Sequence, residues 1–206
     1  MRTRFVSILL VRVIAIAAGL FGAAFGFASA TGLESPPVPM QFDQYIHREN
    51  GAPADPINLI FIAPNPEAAA NAVHAVLGWD PLDGSPMQFL DEGLSRSSAW
   101  QMGIQFSRAS RWHIRIENVT RDGQGEYVLA AIHRDDNAAC GHVGGAFDRA
   151  RDNVAGAFAA AGYSVTTLDL GNTRSGLQCD GSYTAGDGAA AVIDLSAPPE
   201  SLAARR

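Results

Sequence analysis

Residues 111–117, Arg-Trp-His-Ile-Arg-Ile-Glu, place an apolar side chain at every second position. After the turn formers of 120–126 comes a second arm, Tyr-Val-Leu-Ala-Ala-Ile-His, at 127–133. Alternate residues of a strand share a face, so this stretch predicts a β-hairpin with one face committed to a core. Trp112, Ile114 and Ile116 belong to the face that meets helices, and His113, Arg115 and Glu117 to the other. A turn about Asp122 sets residue 117 opposite 127 and 115 opposite 129. Tyr127, Leu129, Ala131, His133 and Asp135 then join the second face, with His113 and His133 as diagonal neighbours.

The surrounding elements follow from period and punctuation. Residues 57–63 form a short β-branched apolar run suited to a buried strand. A helix follows, capped by Asn65, entered through Pro66 and Glu67 and stopped at Gly78. Residues 80–110 give turn signals and a few apolar anchors and read as an irregular excursion. A second helix at 146–162 carries Phe147, Ala150, Val154 and Phe158 on one face, with Asp148, Arg149, Arg151 and Asp152 largely opposite. Two further strands lie at 163–170 and 189–195. The order predicts an α+β fold of ferredoxin-like β-α-β-β-α-β type with an extra C-terminal strand. Its helices cover one face of an antiparallel sheet and leave the other open.

The N-terminus sets the compartment. Arg2 and Arg4 precede an apolar run that ends in Ala28-Ser29-Ala30, the pattern of a cleaved export signal over residues 1–30. Residues 13–30 are 18 positions without a charge, about the least that spans a bilayer, so an uncleaved anchor is the alternative. Either end-point places the body in the periplasm or on its side of the inner membrane, with membrane contact only through an uncleaved segment. Residues 31–55, dense in Pro and Gly, read as a linker, 56–196 as the domain and 197–206 as a tail. Without residues 1–30, which hold three of the 15 arginines and no acid, the chain has 12 arginines against 21 acidic residues, a formal charge of −9. That sign repels phosphate backbones and argues against nucleic acid as a partner. Cys140 and Cys179, in neither a CxxC nor a zinc-like spacing, read as a disulfide in an oxidising compartment, with two free thiols as the alternative.

Several segments, in this order, resemble the C-terminal domain of LssY-type proteins, a bacterial envelope family tied by name to type I secretion loci. They are Asp55, Pro56 and Asn58 before the first strand, and Trp79 after the first helix. Arg111-x-His113-x-Arg115 follows, then His142 with Asp148, Arg151 and Asp152, and finally a turn with Tyr183, Thr184, Asp187 and Gly188. The resemblance spans about residues 55–195. Gly144-Gly145 stands where the family carries Asp-Pro, and Ala150 where it carries an acid. The resemblance implies an envelope location and an envelope or membrane-protein partner; it brings no agreed activity.

Two readings of the second face stay open. In one, the charged residues of an amphipathic hairpin pair across strands in solvent, each pair contributing at most about 1 kcal/mol. In the other, His113, Arg115 and His133 form a catalytic site, with His113 as general base beside an anion-binding Arg115. Arg111, His142, Asp148 and Arg151 would bind ligand in that reading, and two or three of His113, His133 and His142, with a carboxylate such as Asp135, could hold a zinc-like ion. No cofactor is specified by the sequence. The expectation is a non-catalytic binding or assembly module, with a hydrolase or metal-dependent enzyme as the alternative.

Overall fold

A computed structural model describes residues 42–83, 88–91, 94–107, 110–117, 120–121, 126–136, 147–171, 174–177, 183–197 and 199. The export signal, His142, Cys140 and Cys179 lie outside the described residues, and the disulfide expectation with them. Among the described residues no helix is long and apolar enough to cross a membrane.

Among the described residues the chain is α+β, with two helices and a mostly antiparallel sheet. The first part runs β1 (Phe42–His47), β2 (Pro53–Pro56), β3 (Leu59–Ile62), α1 (Pro66–Leu77), β4 (Asp80–Pro81), β5 (Gln88–Asp91) and β6 (Leu94–Ser107). There follow β7 (Ser110–Glu117), β8 (Thr120–Arg121), β9 (Glu126–Asp136), α2 (Phe147–Ala160), β10 (Ser164–Asp169), β11 (Arg174–Leu177), β12 (Tyr183–Ala185) and β13 (Ala189–Asp194). The main sheet has the order β10-β13-β3-β9-β7-β6-β5-β1-β2, and β11 pairs with β12 apart from it.

At its centre β9 lies between β3 and β7, antiparallel to both. The final strand does not simply extend an edge. It enters between β10 and β3, parallel to β3, which separates the two strands a four-stranded ferredoxin-like order would pair.

Helix α1 forms where its caps require. Asn65 Oδ1 accepts from the Ala68 N–H at 2.8 Å, and Gly78, at φ 66°, closes the last turn by donating to the His74 carbonyl. Ala69 and Val73 of α1 and Val154 and Phe158 of α2 meet Phe61, Ile114, Ile116, Val128 and Ile132 in one apolar core. The Phe61 and Phe158 rings meet edge-on at 5.8 Å. Trp112, Ile114 and Ile116 thus face the helices as their alternation requires. Arg151, expected on the polar side of α2, is instead buried.

The other face of the sheet is not open. Ile46 of β1, Ala54 of β2, Ile57 and Phe89 of β5 close over Ile60, Tyr127, Leu129, Ala131, Ala190 and Val192 in a second core. The covering strands include β1 and β2, which fall in the stretch that composition reads as linker. The physical reason is in β9 itself. Residues 127–132 are apolar at every position and all fully buried, and a strand apolar on both sides has two faces to cover.

Two further expectations are revised. The β7–β9 register is shifted by two residues, pairing Arg115 with Ala131 and Arg111 with Asp135, so His113 faces His133 directly rather than diagonally. The excursion at 80–110 contains the long strand β6. Its partner changes along its length, from β5 at Leu94–Ser97 to β7 beyond. It buries Gln101 beside Met102 and exposes Ile104, so at Gln101 and Ile104 polarity runs against burial.

Candidate functional site

The second core carries a polar inclusion where β7, β9 and β2 meet. His113 and Glu117 are fully buried, His133 and Asp135 are 1 % exposed and Arg115 is 3 % exposed. An ionisable group is seldom buried this deeply unless it is paired. Asp135 is the hub. Its Oδ2 accepts from Arg111 Nε at 2.6 Å, and its Oδ1 lies 2.9 Å from His133 Nε2. The other nitrogen of His133 faces Asp55 Oδ2 at 3.5 Å. Phe147, at the start of α2, flanks the His133 ring with centroids 5.2 Å apart.

His113 completes the group from β7. Its ring meets that of His133 edge-on, with centroids 4.2 Å apart. Its Nδ1 lies 3.1 Å from Asp135 Oδ2, near enough to feel the charge. Neither ring nitrogen completes a hydrogen bond among the described residues. Burial first, and the neighbouring His133 next, pull the His113 imidazole from its ordinary 6.5 down to about 3, against the opposing attraction of Asp135. It is therefore neutral near pH 7. Arg115, whose Nη1 donates to Gln101 Oε1 at 3.3 Å, is drawn below its ordinary value by burial, with the Asp55 carboxylate opposing. Glu117 Oε1 accepts from the Leu129 N–H at 3.1 Å and so ties β7 to β9.

A second cluster lies between α2 and the turn into β13. Arg151 donates from Nη2 to Asp187 Oδ2 at 2.7 Å and to Asp152 Oδ1 at 2.7 Å. Its Nη1 donates to Asp187 Oδ1 and to the Ala189 carbonyl, while Asp148 Oδ2 accepts from the Asp187 N–H at 3.1 Å. The guanidinium holds Asp187 down to about 2, and Asp187 in turn raises Arg151. Burial, with Asp187 beside it, raises Asp148. This arrangement fastens the β13 turn to α2.

Of the residues singled out in the sequence, His113, Arg115, His133 and Arg111 come together, and Asp148 and Arg151 meet Asp187 in the separate clamp. His142 lies outside the described residues. Asp135, the hub, was visible as the carboxylate of the second strand. Gln101 was missed because it lies in the unread β6. Asp55 and Asn58 were flagged only through the resemblance. Asn58 proves to be a structural splice. Its Oδ1 accepts from the Ile132 N–H and its Nδ2 donates to the Ile132 carbonyl, both at 2.9 Å, so its amide stands in for a backbone peptide beside β9.

Compared with known proteins, the chain matches no family model, no curated protein and no solved structure.

Proposed function

We propose that this chain is an exported envelope domain of the LssY C-terminal type that serves as a non-catalytic binding or assembly module. The observation that carries the non-catalytic reading is the burial of the His113–His133–Asp135 group between two apolar layers. His113 is held neutral with a pKa near 3, and a base that weak takes up a proton poorly near neutral pH. Arg151 is engaged by Asp187, Asp152 and the Ala189 carbonyl. Both clusters hold elements together rather than present a reactive group at a cleft.

The location rests on the sequence: the N-terminal signal and the ordered segments that resemble the LssY type. We also read β3-α1-β7-β9-α2-β10 as a ferredoxin-like kernel into which β13 has been inserted. The module takes an envelope or membrane-protein partner and, at its formal charge, no nucleic acid. The test is an assay of the purified chain against phosphomonoester, carboxylic ester, glycoside and peptide substrates. No turnover above the His113→Ala variant is expected, and hydrolysis that disappears with His113→Ala overturns the reading.

A further inference from the structure

The Nε2 of His113, buried with no hydrogen bond, asks for an explanation, because a buried polar atom without a partner costs roughly 1–3 kcal/mol. One ring nitrogen each from His113 and His133 and one oxygen of Asp135 lie within 4.8 Å of one another. Bonds of about 2.0–2.2 Å to a tetrahedral ion set neighbouring ligand atoms about 3.3 Å apart. His113 Nδ1 lies 3.1 Å from Asp135 Oδ2 and His133 Nε2 2.9 Å from Oδ1, so both imidazoles already border the carboxylate, and the three ligand atoms need only draw together from within 4.8 Å to admit an ion.

We propose that His113, His133 and Asp135 bind one divalent transition-metal ion of the zinc class, which fastens β7 to β9 inside the second core. The donor set, two imidazoles and a carboxylate, is the borderline-hard N/O combination that zinc accepts. When His133 ligates through Nε2, its ring proton sits on Nδ1, which faces Asp55. An outer carboxylate on a ligating histidine fixes its tautomer and orientation. Arg111 holds the Asp135 carboxylate in place from Oδ2. Arg111 and Arg115 oppose a cation here, and Asp55 with Asp135 offset them, so the ion is held less tightly than in an all-neutral shell.

The inference stands apart from the module reading, since a structural ion suits a domain without turnover. The test uses the full chain purified with its own N-terminal segment, stripped with a chelator and titrated with Zn²⁺ and with Co²⁺. Expected are one ion per chain by elemental analysis after gel filtration and a visible Co²⁺ spectrum without thiolate charge transfer. Uptake should be lost in His113→Ala and His133→Ala and kept in His74→Ala, which alters an exposed helix histidine. Folded wild-type protein that takes up no ion overturns the site. So does a thiolate charge-transfer band, which assigns the metal to the cysteines, or full uptake by both core-histidine variants. Should those variants not fold, the imidazole NMR signals of the wild type decide. Signals of His113 and His133 that move with Zn²⁺ support the site, and signals that do not move overturn it. Hydrolysis by the loaded chain would overturn the module reading alone.

Discussion

His113 and His133 are direct cross-strand partners on β7 and β9, their rings 4.2 Å apart at an interplanar angle of 74°. Burial first, and the neighbouring His133 next, hold the His113 imidazole down to about 3. The unfolded chain binds a proton there near pH 6.5 that the folded chain refuses. The stabilising contribution is therefore complete above about pH 6.5 and is lost as pH falls toward 3, at about 1.4 kcal/mol per pH unit. Urea midpoints should fall as the pH is lowered from about 6.5 to about 5, before most carboxylates titrate. In His113→Gln, which has no such titration, the fall over the upper part of the window should flatten.

Asn58 is the second point of failure. Its backbone N–H donates to the Ala130 carbonyl at 3.2 Å and its carbonyl accepts from Ala191 at 3.0 Å, while its side chain pairs with both polar groups of Ile132. Asn58→Ala leaves that buried N–H and C=O without partners where water cannot reach. The expected loss is about 2–3 kcal/mol in the free energy of urea unfolding, with the denaturant slope unchanged.

How much of this could be read from the sequence depends on whether local pattern and burial agree. The caps of α1 and the inward face of β7 were legible because Asn65, Gly78, Ile114 and Ile116 obey local rules. The covered second face was legible in principle from 127–132, where apolar residues fill both parities. It was obscured by the polar alternation of β7, whose His113, Arg115 and Glu117 look solvated when read alone. Burial of those three depends on β1 and β2, contributed by a stretch whose Pro and Gly content hides two short strands. The β7–β9 register is two residues away from the one that a turn about Asp122 sets, and composition does not fix it. The insertion of β13 beside β3 is a tertiary choice with no local signature.

Gly103 tests how tightly β6 is seated against the histidine strand. It pairs with His113 in the ladder, and a Cβ there would run into the Trp112 carbonyl oxygen and approach Leu82 Cδ1 to 2.6 Å and His113 Cα to 3.1 Å. Leu82 can give, but the Trp112 carbonyl is backbone and cannot without moving β7. Gly103→Ala should therefore destabilise by about 1–3 kcal/mol, the range for overpacking, although alanine ordinarily favours order over glycine. It should also shift the His113 imidazole resonances in NMR, which a surface substitution such as His74→Ala leaves in place.

The Arg151–Asp187 clamp predicts a separate, more acidic transition. Hydrogen bonds from Arg151 hold Asp187 at about 2, below its ordinary 3.8, so the folded state sheds a proton that the unfolded state keeps. This contribution is complete above about pH 4 and is lost as pH falls toward 2. Asp148, raised by burial and by Asp187, works with the opposite sign: its share fades as pH rises above about 3.8, outside the Asp187 window. Because the Asp187 side chain is 50 % exposed, solvent screening limits the coupling to about 1 kcal/mol despite the two-pronged geometry. A double-mutant cycle of Arg151→Ala and Asp187→Ala by urea unfolding should return about that value near neutral pH. Repeated near pH 2, the coupling should fall to a small fraction of it. Arg151→Ala alone should cost more than Asp187→Ala alone, because it also deprives Asp152 and the Ala189 carbonyl of their donor. Equal single-mutant losses would place the whole effect in the ion pair.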